Sequence, residues 1–136
     1  MKVEVAAEPS EDLRRLFATA MRHAASHRGG PAMLATILED RSSDAFLNDA
    51  VSQGSILVAL DGDTMVGFAL CRDGVLEAIY VAKHSRRQGI ARRLVKAAVG
   101  ASGQLLDAYA LPGDRATKSL FESFGWKARL LTMRAE

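Results

Sequence analysis

Cysteine occurs once, at Cys71, so the chain cannot close an internal disulfide. That scarcity fits a reducing, cytoplasmic setting. No apolar run resembles a secretion signal or is long enough to span a bilayer, so neither export nor a membrane is expected. Low-complexity tracts and internal repeats are missing as well. The three histidines, His23, His27 and His84, lack metal-ligand spacing, so no metal site is expected. Neither a Walker loop nor a Gly-x-Gly-x-x-Gly fingerprint occurs. What remains is 136 residues, 49% hydrophobic and 25% charged, the profile of one globular domain over 1–136.

One further absence is local. No acidic residue lies between Glu77 and Asp107, whereas Lys83, Arg86, Arg87, Arg92, Arg93 and Lys96 all do. The net charge of +2 therefore divides into −4 over residues 1–74 and +6 over residues 75–136. A run of cations is often just a solvated helix face. Here it brackets the start of a helical pattern, where bare cations oppose the helix dipole unless an anion offsets them. A nucleic-acid surface would use the same cations, but aromatic side chains are not interleaved with them, and no nucleic-acid partner is expected.

Periodicity divides the chain into alternating elements. Lys2 to Ala6 alternates as a strand. Ser10 caps a helix whose inward face is Leu13, Leu16, Phe17, Ala20, Met21 and Ala24, ended by Gly29-Gly30-Pro31. A short helix to about Asp40 follows, then a third capped by Ser43 and stopped by Gly54. Ser55 to Leu60, Thr64 to Cys71 and Val75 to Val81 read as an antiparallel meander, with Asp61-Gly62-Asp63 and Asp73-Gly74 as its turns. After a helix at 90–101 come a strand from Gln104 to Ala110, a helix from Asp114 through Phe124, and a last strand from Trp126 to Arg134. The class is α/β, a mixed and largely antiparallel sheet flanked by helices.

The strand VLEAIYV, Val75 to Val81, runs into IARRLVKAAVGA, Ile90 to Ala101, through a connection carrying Arg86, Arg87 and Gly89. A helix N-terminus presents free N–H groups and partial positive charge, and Gly89 lets the backbone approach a ligand. Together they suit a phosphate. The segment Arg86-Arg87-Gln88-Gly89-Ile90-Ala91 resembles motif A of the GNAT superfamily of acyl-CoA-dependent N-acyltransferases, Arg/Gln-x-x-Gly-x-Gly/Ala. A second stretch, DRATKSLFESFGW from Asp114 to Trp126, resembles the family's motif B. Leu120, Glu122 and Gly125 match it, while Asp114, Thr117 and Phe121 stand in place of Asn, Ala and Tyr. The element order resembles the family's over essentially the whole chain, except that only about ten residues follow the last helix where many members place two strands. The shortened end exposes a sheet edge that would allow a homodimer.

The resemblance implies a site as well as a fold. Acetyl-CoA would be the co-substrate, its pantetheine pairing with backbone groups of Ile79, Tyr80 and Val81. The amides of Gln88, Gly89, Ile90 and Ala91 would hold the pyrophosphate, with charge from Arg86, Arg87 and Arg92. Asp114 would sit near the pantetheine arm, or serve only as a helix cap. Phe121 has no hydroxyl, so it cannot protonate the departing thiolate as the family Tyr does. It would pack beside the cofactor or in the core.

Chemistry picks out two more residues. An attacking amine has a pKa of roughly 10 and needs a base. Glu77, the lone acid of an apolar strand, is the candidate, and strict alternation would set it on one face with Val75, Ile79 and Val81. Tyr109 is a candidate acid for the thiolate, with Ser119 and solvent as the other possible proton sources. Cys71 reads as an inert core thiol. The expected function is acetyl transfer from acetyl-CoA to a primary amine by direct attack in a ternary complex. The alternative suggested by Phe121 is a non-catalytic acyl-CoA sensor or interaction module of the same fold.

Overall fold

The computed structural model of the protein describes residues 1–103 and 106–135. Strand β1 (Lys2–Val5) is followed by helices α1 (Glu11–Ala25), α2 (Gly30–Leu38) and α3 (Ser43–Ser52). The meander β2 (Ile56–Asp61), β3 (Thr64–Arg72) and β4 (Val75–Val81) comes next, then a short 3-10 turn at Lys83–Ser85. Helix α4 (Ile90–Ser102), strand β5 (Asp107–Ala108) and helix α5 (Arg115–Glu122) complete the regular structure of the described residues. The five strands lie in chain order, β1 through β4 antiparallel and β5 parallel to β4. The expected class of mixed, largely antiparallel sheet flanked by helices is therefore observed.

Local chemistry accounts for the element boundaries. The Ser10 side chain accepts from the Leu13 N–H at 3.3 Å, and Glu11 and Asp12 occupy the first turn of α1. Ser42 rather than Ser43 caps α3, accepting from the Ala45 N–H at 3.1 Å, and Ser43 becomes its first residue. The β3–β4 turn places both Asp73 (φ 51°) and Gly74 (φ 76°) in the left-handed region, the pairing a two-residue hairpin loop needs. At the start of α2, a side chain on Gly30 would put its Cβ 1.9 Å from the Ala24 carbonyl oxygen. Only glycine lets α2 cross the end of α1 so closely.

Alternation along the strands sends side chains into two cores. Ile56, Val58, Phe68 and Leu70 meet α1, α2 and α3, where Phe17 stacks on Phe46 at 5.9 Å and tilts against Phe68 at 5.4 Å. Leu57, Ala59, Ala69, Leu76 and Val81 face the other way, onto Ile90, Leu94, Val95 and Ala98 of α4 and Phe121 of α5. Each of the larger side chains contributes on the order of 2 kcal/mol by leaving water. The sheet is thus clamped by helices on both faces, and its β4 edge is left to define the site.

Two expected strands differ. Of the stretch Gln104 to Ala110, only Asp107–Ala108 pairs, and Gln104 and Leu105 lie outside the described residues. The final strand, Trp126 to Arg134, does not form among the described residues. Its apolar side chains have nothing to cover: Leu130, Leu131 and Met133 are 85%, 77% and 86% exposed. A neighbouring strand of two residues offers too short a ladder, and the segment meets it through Arg129, whose Nη1 lies 3.4 Å from an Asp107 carboxylate oxygen.

Candidate active site

The site begins where β4 and β5 part. Asp107 donates its N–H to the Gly74 carbonyl and Tyr109 its N–H to that of Leu76, both at 3.0 Å, and the paired register ends at Leu76 and Ala108. On the opposite side, the Ala82 N–H donates to Val66 at 2.8 Å, and Phe68 stands across from Tyr80. Hydrogen bonding alternates along an antiparallel pair, so the backbone groups of Ile79 and Val81 face the edge that β5 has left. Of the three backbone positions expected at the site, Ile79 and Val81 thus face the free edge, whereas Tyr80 does not, because its backbone is turned to Phe68 of β3. Arg86 already uses part of it: its Nε donates to the Val81 carbonyl at 3.1 Å, and its guanidinium lies 5.5 Å from the centre of the Tyr80 ring.

Beside that edge stands the N-terminus of α4. Among the described residues no side chain caps it, and no acid occupies its first turn. Gly89 is left-handed (φ 74°), and a Cβ built there would meet nothing within 4 Å. Arg87 is left-handed too (φ 66°), a conformation that costs a non-glycine residue roughly 1 kcal/mol. Ile90 is buried in the core and anchors the turn, while the amides from Gln88 through Ala91 start the helix. Arg92 points along a different line, donating from Nη1 to the Ser123 hydroxyl at 2.6 Å and stacking over Phe124 at 4.3 Å. These residues fit a phosphate-bearing ligand: among the described residues no side chain occupies the helix end, and a Cβ at Gly89 would be free of contact.

On the α1 side of the edge, a cavity of about 50 Å³ gathers Glu77, Ile79, Tyr80, Tyr109 and Asp114, residues separated by up to 37 positions in sequence. Its other wall is apolar, including Met21, Met33, Leu34 and Ile37 from α1 and α2. Glu77 does not share a face with Ile79 and Val81, contrary to strict alternation. Leu70 pairs with Ala78 and Cys71 with Leu76, which leaves Glu77 as the extra residue of a β-bulge. The bulge turns its carboxylate toward α2, where it accepts from Arg72 Nε at 2.7 Å and Nη2 at 3.2 Å. Arg72 is held in turn by the Ile37 carbonyl at 3.3 Å and lies over the Phe46 ring at 4.8 Å.

The remaining sequence candidates divide clearly. Asp114 caps α5, one oxygen accepting from the Thr117 N–H at 3.1 Å and the other from the Thr117 hydroxyl at 2.7 Å. Asp114→Ala should therefore lower stability by about 1 kcal/mol, read as a reduced Tm in a thermal melt. Phe121 is buried and stacks on Trp126 at 5.3 Å, so it packs in the α4 core. Tyr109 is 44% exposed at the cavity wall. Burial, and secondarily the Glu77 charge, push the Cys71 thiol up to about 11, which suits an inert thiol. One residue of the cavity had no sequence signal. His23 on α1 lines it, its ring 5.6 Å from that of Tyr80.

The fold has many known counterparts. A tetramutant of the BH1408 protein of Bacillus halodurans aligns with a TM-score of 0.76 at 13% identity, covering 100% of this chain and 99% of that one. The ribosomal-protein-alanine N-acetyltransferase of Brucella melitensis biovar Abortus aligns at 0.63 and 18% identity, covering 100% and 99%. The PaiA N-acetyltransferase of Thermoplasma acidophilum, solved with coenzyme A, aligns at 0.68 and 16% identity, covering 95% and 92%. At these identities the likeness is one of fold. No protein of curated function matches the sequence. The sequence model of the acetyltransferase (GNAT) domain, however, matches residues 52–128, more than half of the chain and the whole span from β2 to α5, and the protein belongs to that family.

Proposed function

We propose that the protein is an N-acetyltransferase that moves an acetyl group from acetyl-CoA to a primary amine by direct attack in a ternary complex. It would act as a single domain in the cytoplasm. The observation that carries this reading is the junction of an open β4 edge with an uncapped, acid-free helix N-terminus. Acetyl-CoA, when bound, supplies an activated acyl carbon and a thiolate leaving group. The α4 amides from Gln88 to Ala91 bind its phosphates, with Arg86 and Arg87 adding charge. The Ile79 and Val81 backbone orients the pantetheine. Glu77 takes the acceptor's proton, directly or through water, and Arg72 fixes the position of its carboxylate. Incubating the protein with acetyl-CoA and a panel of amines, and following thiol release, tests the reading. Turnover of at least one amine is expected, and none across a broad panel would refute it.

Tyr109 protonates the thiolate in this scheme. Tyr109→Phe should reduce turnover by about tenfold, because a thiolate of pKa near 8.5 also leaves with help from water. An unchanged rate would hand the proton donation to solvent. A second reading draws on Phe121, which is packed against Trp126 where motif B places the phenol. In that reading the protein binds acyl-CoA as a sensor. Tight acetyl-CoA binding by calorimetry, with every amine inert, would favour it over the enzyme.

A further inference from the structure

The cavity holds a titratable group that neither motif includes. We propose that His23 is a second proton acceptor of the site, through which the proton of the acceptor amine passes to solvent. This rests on the acetyltransferase reading above. The Glu77 carboxylate is 12% exposed and both its oxygens are engaged by Arg72, so a proton it receives has no direct route outward. His23 lines the same cavity but sits on the exposed side of α1. Its ring is tilted against Tyr80 at 5.6 Å and set edge-on to His27 at 4.7 Å. Among the described residues neither ring nitrogen has a hydrogen-bond partner; His27 instead meets the His23 backbone carbonyl. A lone pair is thus available at the mouth of the cavity.

The surroundings keep that lone pair free of a proton. Partial burial, then His27 and Arg86, hold the imidazole below its ordinary value of 6.5, and Asp114 opposes them more weakly. Glu77, Tyr80 and Tyr109 are the other ionisable groups that line the cavity. At neutral pH the ring is therefore mostly neutral and ready to accept. The step balances simply. The ammonium gives one proton to the His23 imidazole, directly or through water in the cavity, and from there it passes to solvent. The freed nitrogen lone pair forms the N–C bond while the C–S bond breaks and its electron pair leaves on sulfur; the nitrogen then sheds its second proton to solvent, which balances the one that Tyr109 gives to the thiolate.

His23→Ala tests this without threatening the helix, since the position is exposed and alanine favours helices. Acetyl-CoA affinity by calorimetry and the Tm should be unchanged. Near neutral pH, kcat/KM should fall about tenfold, the loss should shrink as pH rises and the amine deprotonates itself, and added imidazole should restore activity in proportion to its concentration. In wild type, the acid limb of kcat/KM should coincide with the His23 titration seen by NMR in the free protein, and should vanish in the variant. A loss that is independent of pH and not rescued by imidazole would overturn the proposal, as would full activity. A wild type inert toward every amine would instead overturn the acetyltransferase reading, and this inference with it.

Discussion

Gly89→Val and Gly89→Asn should each weaken acyl-CoA binding by roughly 10²-fold, but only the valine should lower the Tm. The two effects separate because Gly89 carries two constraints. The first is conformational: φ is 74°, where a β-branched residue is strained by about 1–3 kcal/mol and asparagine by much less. The second is space. A Cβ at position 89 meets nothing of the protein within 4 Å, so packing in the free protein does not resist a side chain there. Its cost should appear when a pyrophosphate has to approach the amides of α4. Each charge-assisted hydrogen bond lost is worth roughly 1.5–3 kcal/mol, and loss of one or two accounts for the expected factor. Calorimetric titration with coenzyme A measures it directly. Wild-type affinity in Gly89→Asn would show that the phosphates bind elsewhere and would withdraw the loop from the site.

That the loop was visible in the sequence, while the face of Glu77 and the place of His23 were not, follows from range. Arg86 to Ala91 is a local device: a strand end, a left-handed glycine and a helix start act within a dozen residues, and each has a residue preference of its own. The Asp73-Gly74 turn is legible for the same reason, since its geometry selects residues that tolerate positive φ. The position of Glu77 is different. Alternation predicts its face only if every residue of β4 is paired, and the extra residue opposite Leu70 and Cys71 is a property of two strands together. The final strand fails on similar grounds. Trp126 to Arg134 has strand-like composition, but a strand exists only beside a partner, and β5 is two residues long. His23 is the extreme case. It lies 54 residues from Glu77 and 91 from Asp114, and only the packing of α1 across the sheet brings the three around one cavity.

The bulge also shapes the largest kinetic effect expected. Glu77→Gln should lower kcat by about 10²-fold or more, within the 10²–10⁴ range for a lost general base, while leaving acetyl-CoA affinity nearly intact. The sign of its pH dependence follows from the acceptor. An amine with a pKa of roughly 10 is almost wholly protonated at neutral pH, so the base is needed most there. As pH rises the free amine accumulates, and the variant should approach wild type. Electrostatics complicates the reading, because Glu77→Gln also leaves Arg72, 20% exposed, without its close counter-ion; Glu39 lies at 4.0 Å. Some loss of stability should accompany the kinetic loss. Arg72→Gln separates the two: it breaks the same ion pair but keeps the carboxylate, and so should share the drop in Tm while losing less turnover than Glu77→Gln, the loss coming from a carboxylate no longer held in place. Equal losses of kcat in the two variants, both independent of pH, would mean that the pair merely shapes the cavity. A large, pH-dependent loss confined to Glu77→Gln would show that the bulge exists to aim a base.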